Sequence, residues 1–230
     1  INVDIVPPAE GARKGASIIC VVDVSSSMSL PATRGKADED GSEVDDGEAK
    51  LSRLDLVKHC LRTLCELMND GDELSIVPFS TSASILLHTE KQTSEGKTTA
   101  KSAIDRLVAK GRTNLWDGIQ KGISLASKSH GETSILVFTD GRANISPPRG
   151  EVEMLQRACR DGRRGFSLTT FGFGYDVDAP LLDQLSLVGG GLFQFISDCS
   201  MVGTAMIHFA ATALCTQYAM LRVVCSLQGA

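Results

Sequence analysis

Apolar and polar residues follow one another along the chain in blocks that predict strands and helices in turn. Continuous apolar runs predict buried strands, and apolar residues at helical spacing predict helices. The predicted strands are 17–22, 73–79, 82–88, 133–139, 163–171 and 192–196, and the predicted helices are 52–68, 93–108, 114–127, 151–160, 179–187 and 199–214. This order predicts a Rossmann-like, doubly wound α/β fold, with a mostly parallel six-stranded sheet and helices on both faces.

Two further features complete the predicted arrangement. The link between strands 73–79 and 82–88 is so short that it allows only a hairpin. The second of these strands is therefore expected to be antiparallel and to lie at the edge of the sheet. Residues 218–227 alternate enough to predict an extra C-terminal strand, whose partner is not evident. We interpret residues 1–230 as a single domain, a size that can bury a substantial core.

Small oxygen-bearing side chains follow two of the buried strands and stand in a third segment between them. Asp23, Ser25 and Ser27 come after the first apolar run, Thr113 lies in a Gly-Arg-Thr-Asn segment, and Asp140 follows the run 135–138. Ligands of open α/β sheets bind beyond the carboxyl ends of the strands, where we expect these side chains to converge. Hydroxyl and carboxylate oxygens suit Mg²⁺, Mn²⁺ or Ca²⁺ rather than copper or zinc. The pattern therefore predicts a divalent-cation site.

These three segments resemble the metal-binding motifs of von Willebrand factor type A domains. Segment 23–27 is similar to the D-x-S-x-S motif of that family, segment 111–115 to its G-x-T-N-L segment, and segment 138–141 to its T-D-G segment. The order and the spacing of the segments also agree, and the resemblance extends from about residue 18 to residue 208. Each motif alone is weakly specific, whereas the combination of the three is highly specific.

The resemblance implies a metal-ion-dependent adhesion site with a defined role for each residue. Ser25 and Ser27 would ligate the cation directly, and Thr113 would do so directly or through water. Asp23 and Asp140 would act mainly through coordinated waters. Mg²⁺ is the expected ion, with Mn²⁺ and Ca²⁺ as alternatives, and one coordination position is left for a carboxylate of a protein partner.

One residue departs from the family pattern. Ser26 stands where many members carry glycine. If that position requires a positive φ, the serine would be strained by about 1–2 kcal/mol. This departure concerns the shape of the loop, since the three hydroxyl ligands are present.

An acidic segment, about 30–50, directly follows the first motif. It is rich in glycine and acidic residues and has almost no apolar side chains, so it predicts a mobile loop. One interpretation is that it shields the metal or lends it a carboxylate. The other is a solvated insertion without a role.

Composition narrows the classes of partner and compartment. The formal net charge of −5 argues against nucleic acid as the main partner, and no apolar run is long enough for a membrane span. Seven cysteines without regular spacing favour a reducing compartment, so we expect a cytoplasmic location. The chain begins at Ile1 without an initiator methionine, from which we expect a fragment or a processed piece.

The expected function is a non-enzymatic module that recognises an acidic residue of a protein partner through the bound cation. Alternatives are the substrate-recognition domain of a ubiquitin ligase and the docking domain of an ATPase complex. A metal-dependent hydrolase is a further alternative, but it would need a general base near the ion. The sequence has no P-loop motif and no G-x-S-x-G elbow, which disfavours two common kinds of hydrolase.

Overall fold

The computed structural model of the protein describes residues 2–5, 15–32, 51–128, 133–160, 165–214 and 223–226. The strands are β1 Asn2–Ile5, β2 Ser17–Asp23, β3 Glu73–Phe79, β4 Leu87–Lys91, β5 Thr133–Thr139, β6 Phe166–Phe173, β7 Gly190–Ile196 and β8 Val223–Ser226. The α-helices are α1 Arg53–Leu67, α2 Ser94–Asp105, α3 Leu115–Ala126, α4 Gly150–Arg160, α5 Ala179–Gly189 and α6 Cys199–Phe209. A 3₁₀ turn spans Ser26–Ser29, and a π-helical turn, Ala210–Leu214, continues α6.

The main sheet has six strands in the order β4-β3-β2-β5-β6-β7. The ladders from β3 to β7 are parallel, and β4 pairs antiparallel with β3 at one edge. The predicted mostly parallel sheet with one antiparallel edge strand is therefore confirmed. A separate two-stranded antiparallel sheet is formed by β1 and β8. Strand β8 lies inside the range 218–227 that the sequence predicts as an extra strand, while residues 218–222 and 227 lie outside the described residues.

Two hydrophobic cores, one on each face of the sheet, explain why the strands are continuously apolar. In β2, Ile18, Cys20 and Val22 belong to the core that includes α1, α2 and α6, whereas Ile19 and Val21 belong to the core beneath α3 and α5. Successive side chains of a strand point to opposite faces of the sheet. When both faces are covered, every side chain of the strand faces a hydrophobic core, so the usual alternation of apolar and polar residues is absent.

The edge hairpin is present, but its second strand begins later than the sequence predicted. The predicted strand was 82–88, whereas β4 starts at Leu87. Before that point the chain still follows β3, since the N–H of Leu86 donates to the carbonyl of Ile76 at 2.9 Å. A register shift between Leu74 and Ile76 interrupts the ladder. An irregularity of this kind allows an apolar segment to run beside a strand without forming one.

The helix ends agree with their capping residues. Ser52 caps α1 in a reciprocal capping box, and Asp178 and Asp198 cap the starts of α5 and α6. Most of the predicted acidic loop, residues 33–50, lies outside the described residues. Among the helices that the structure describes, none is long and apolar enough to cross a lipid bilayer.

Strands β2 and β5 are neighbours in the sheet although β3 and β4 separate them in the chain. From β2 the chain passes through α1 to β3 on one side, and it returns through α3 to β5 on the other. This reversal is a topological switch point, where open α/β sheets bind ligands. The two strands end at Asp23 and Thr139.

Helix α3 lies close against the sheet because two of its glycines face β2 and β3. A Cβ atom at Gly118 would lie 2.7 Å from the ring of Phe79, and one at Gly122 would lie 2.9 Å from a methyl group of Val21. Neither distance leaves room for a side chain. The close packing fixes the start of α3, and therefore the position of Thr113 just before it.

Candidate metal centre

Asp23, the last residue of β2, has a fully buried carboxylate that is held at both oxygens. Its Oδ1 accepts the N–H of Ser25 at 2.8 Å, and its Oδ2 accepts the hydroxyl of Thr139 at 2.6 Å. Burial raises the pKa of Asp23 to about 6, against the opposing effect of these hydrogen bonds, and the negative charge of Asp140 contributes a smaller rise. The carboxylate is therefore oriented and in need of a compensating positive charge.

Ser25 and Ser27 present their hydroxyls to each other at the start of the 3₁₀ turn. Their Oγ atoms are 3.1 Å apart, with Ser25 buried and Ser27 partly exposed. Two oxygens at right angles around an ion at 2.0–2.1 Å are about 3 Å apart. The spacing of the two hydroxyls thus fits adjacent positions of an octahedral Mg²⁺.

The backbone of Ser26 is unstrained, although this serine stands where many members of the resembled family carry glycine. Among the described residues other than glycine, only Thr89 has a positive φ. The Ser26 hydroxyl and N–H both donate to the carbonyl of Gly111, at 3.0 and 3.1 Å. The serine thus ties the first motif loop to the loop that carries Thr113, a contact that glycine could make only through its N–H.

Thr113 is buried and its backbone is clamped by Asn144. The N–H of Thr113 donates to Asn144 Oδ1 at 2.9 Å, and the N–H of Asn144 donates to the Thr113 carbonyl at 3.0 Å. Because Asn144 follows β5, these bonds join the second motif loop to the third. The three loops are therefore connected in pairs by hydrogen bonds.

Asp140 follows β5 and is also fully buried, but its surroundings differ from those of Asp23. Its Oδ2 accepts Arg53 Nη1 at 2.9 Å, and its Oδ1 accepts the N–H of Arg142 at 3.2 Å. The carbonyl of Asp140 accepts the N–H of Asp178 at 3.2 Å, which fixes the loop before α5. A buried arginine therefore supplies one positive charge to a site with two carboxylates.

The structure brings Asp23, Ser25 and Ser27 into one hydrogen-bonded group and joins Asp140 to it through the adjacent Thr139. The sequence reasoning did not identify Thr139, Asn144 or Arg53 as parts of the site. Thr139 could have been found, since it belongs to the same short motif as Asp140. Asn144 and Arg53 carry no local signal, because their roles arise from contacts across the fold.

The donor set fits a hard divalent cation. No group of three or more His, Cys, Asp or Glu side chains able to hold a metal occurs among the described residues, so an ion here would need oxygen donors besides carboxylates, such as the hydroxyls of Ser25 and Ser27. Two carboxylates and several hydroxyls suit Mg²⁺, Mn²⁺ or Ca²⁺ and leave room for other ligands. The chemistry of the side chains and the spacing of the serine hydroxyls agree on this point.

Comparison with known proteins establishes the family. A sequence model of the von Willebrand factor type A domain matches residues 18–142, a stretch that includes the whole predicted donor set. The chain belongs to the von Willebrand factor type A domain family. Domains of this family, abbreviated vWA, mediate protein–protein interactions.

Individual relatives of this vWA domain are larger proteins. The human inter-alpha-trypsin inhibitor heavy chain H3 is 30% identical over 158 residues, which cover 64% of this chain and 18% of that protein. The probable E3 ubiquitin-protein ligase WAVH2 of Arabidopsis thaliana is 29% identical over 99 residues, which cover 40% of this chain and 14% of the ligase. This vWA domain thus spans less than a fifth of either relative.

A solved structure supports the fold. The von Willebrand factor type A protein from Catenulispora acidiphila superposes with a TM-score of 0.69 at 17% identity, over 88% of this chain and 43% of that one. At this level of identity the likeness concerns the fold alone. It agrees with the six-stranded, helix-covered sheet described above.

Proposed function

We propose that this vWA domain binds a protein partner through a divalent cation. The expected cation is Mg²⁺, with Mn²⁺ and Ca²⁺ as alternatives. The residues that would hold the ion are Asp23, Ser25, Ser27, Thr113 and Asp140. The observation that carries the proposal is the burial of two carboxylates at the neighbouring ends of β2 and β5, with two serine hydroxyls at ligand spacing beside them. Buried carboxylates are costly unless a positive charge compensates them.

The protein's own groups would prepare the site in distinct ways. The serine hydroxyls supply neutral ligands, so they add no charge that would weaken the ion's attraction for an acidic partner. Asp23 and Asp140 supply negative charge while their oxygens are held by Thr139 and Arg53. When bound, the ion supplies Lewis acidity to a carboxylate of the partner, which would complete its coordination.

A binding role is favoured over a catalytic one. Every carboxylate or hydroxyl assigned to the site would orient or hold the cation, and a hydrolase would need a further general base. We therefore infer a non-enzymatic module. The similarity to the Arabidopsis ligase favours one specific version, in which the domain selects substrates within a longer ubiquitin ligase.

Metal uptake is the first test of this proposal. Isothermal titration with Mg²⁺ and Mn²⁺ is expected to show one site with a dissociation constant of about 0.1–1 mM. Ser27→Ala should weaken binding at least tenfold, as expected for a lost ligand. Ser29→Ala is the matched control, because Ser29 lies in the same 3₁₀ turn and its hydroxyl donates to the carbonyl of Ser26 and is not one of the proposed ligands. Absence of uptake at about 10 mM of Mg²⁺, Mn²⁺ or Ca²⁺ would refute the proposal.

Partner binding is the second test. Proteins retained by the immobilised domain in Mg²⁺ should be released by EDTA and should not bind the Ser27→Ala domain. The Ser29→Ala domain should retain them. A partner whose affinity is the same in EDTA as in Mg²⁺ would show that the interaction uses another surface.

A further inference from the structure

Arg53, the first residue of α1, is buried where a charged side chain is unusual. Its side chain is 6% exposed, and it lies against the backbone of Gly174 after β6. A Cβ atom at Gly174 would be 2.5 Å from Arg53 Nε, and the φ of +84° at that residue also requires glycine. The fold thus reserves space for this guanidinium next to the metal centre.

The charge of Arg53 is directed at two carboxylates. Its Nη1 lies 2.9 Å from Oδ2 of the fully buried Asp140, and its Nη2 lies 3.6 Å from Oδ2 of the half-exposed Asp176. Its Nε is buried and has no hydrogen-bond acceptor among the described residues. Asp176 is also paired with Arg142 at 3.6 Å. The ion pair with Asp140 is therefore the main compensation for burying the guanidinium.

Arg53 changes the net charge of the metal centre. In their ionised forms Asp23 and Asp140 carry two negative charges, and the guanidinium of Arg53 returns one positive charge. With a divalent cation the group carries one net positive charge, which a single carboxylate from outside would neutralise. Without Arg53 the cation-loaded group would already be neutral.

From this balance we propose that Arg53 is the internal counter-ion of the metal centre, and that it shifts binding strength from the cation to the partner's carboxylate. This inference rests on the proposed function of the same site. Arg53 repels the incoming cation and competes with it for the charge of Asp140. It also attracts the acidic group that binds after the cation. Arg53 is thus a positioning residue with opposite effects on the two binding steps.

The test removes the charge of Arg53 and measures cation binding and carboxylate binding separately. Arg53→Gln removes the positive charge while keeping a polar side chain. Arg62→Gln is the matched control, since Arg62 lies on the same helix in an exposed ion pair with Asp105. Mn²⁺ binding is measured by electron paramagnetic resonance. Acetate, as the carboxylate probe, is then titrated at saturating Mn²⁺ and followed by the relaxation of water protons.

Arg53→Gln is expected to bind Mn²⁺ at least tenfold more tightly and acetate at least tenfold more weakly than the unaltered domain, because a unit charge a few ångströms away has at least this effect at an effective dielectric constant of about 20. Arg62→Gln should change neither affinity. General damage to the fold would weaken both steps together. Equal affinities in Arg53→Gln and the unaltered domain, or a loss in both, would overturn the role of Arg53.

Two outcomes of this experiment would lead to different conclusions. If the unaltered domain binds no Mn²⁺, the proposed function fails and the inference about Arg53 fails with it. If Arg53→Gln does not fold even in saturating Mn²⁺, Arg53→Lys replaces it. Lysine keeps the charge without the planar guanidinium, so both affinities are expected to stay within about threefold of the unaltered domain. A loss above about tenfold in either affinity would show that geometry, and not charge, is what Arg53 supplies.

Discussion

Replacing Thr139 by valine tests whether the buried hydroxyl beside Asp23 organises the metal centre. Valine has nearly the same shape, so the change removes a hydroxyl without leaving a cavity. It deletes the 2.6 Å hydrogen bond to Asp23 and the acceptor of the Gly141 N–H at 2.9 Å. A hydrogen bond to a charged group contributes about 1.5–3 kcal/mol, and a buried N–H without an acceptor costs about 1–3 kcal/mol.

The expected loss in the free energy of unfolding is therefore about 2.5–6 kcal/mol without metal. In a domain of this size that lowers Tm by roughly 5–24 °C, which a thermal melt followed by circular dichroism would detect. Saturating Mg²⁺ should recover part of the loss, since a cation would compensate the charge of Asp23 directly. The difference in Tm between Mg²⁺ and EDTA should be larger in Thr139→Val than in the unaltered domain.

Metal affinity gives an independent measure of the same bond. The hydrogen bond from Thr139 holds the pKa of Asp23 down against burial, so its loss should raise that pKa above about 6. A carboxyl that is protonated at neutral pH must release its proton before it can bind a cation. We expect Mn²⁺ affinity at pH 7 to fall about twofold for a rise of about one unit in this pKa, and by more at lower pH, because the proton competes with the cation for the carboxylate.

Thr170→Val is the matched control for Thr139→Val. Thr170 is also fully buried and donates its hydroxyl at 2.9 Å, but its acceptor is the neutral carbonyl of Leu182. Its replacement should cost about 1 kcal/mol and leave Mn²⁺ affinity unchanged. If both valine variants have the same stability and the same Mn²⁺ affinity, the hydroxyl of Thr139 does not organise the site.

Three other variants or measurements test the packing and the chemistry of the fold. Gly118→Ala should lower the free energy of unfolding by about 1–3 kcal/mol, because the added methyl group would meet the ring of Phe79. Urea denaturation would measure this loss. A gain in stability would contradict the close packing of α3 against the sheet. Ser52→Ala removes the capping box of α1 and should cost about 1 kcal/mol in the same assay, whereas no loss would show that the cap is dispensable. Burial raises the pKa of Cys65 to about 11. Iodoacetamide at pH 8 should therefore label the exposed Cys199 and leave Cys65 unlabelled until urea is added. Labelling of both cysteines in the native domain, measured by peptide mass spectrometry, would show that the thiol of Cys65 is accessible.

The sequence was sufficient for the central strands of the sheet, because these strands are covered on both faces. A strand such as β2 must be apolar at every position when one core takes Ile18 and Cys20 and the other takes Ile19 and Val21. Its hydrophobic run therefore reports burial directly. The carboxyl ends of β2 and β5 could be placed at the same edge of the sheet, because both apolar runs predict buried parallel strands.

The edge strand shows where hydrophobicity stops being informative. Residues 85–87 are apolar and led to a predicted strand over 82–88, yet Ile85 is 41% exposed and the ladder begins only at Leu87. A register shift in the pairing and the positive φ of Thr89 depend on how two strands meet. Apolar periodicity carries no information about either feature.

Arg53 lay beyond sequence reasoning for a reason of electrostatics. The start of a helix carries a partial positive charge, where acidic residues are favoured and an arginine is not. Local rules would therefore direct the Arg53 side chain into solvent, as they do for most arginines. The fold instead buries it against Gly174 and the carboxylate of Asp140. A cation kept at the unfavourable end of a helix requires a stronger compensating interaction, and the buried carboxylate across the sheet edge is the group in the structure that supplies it.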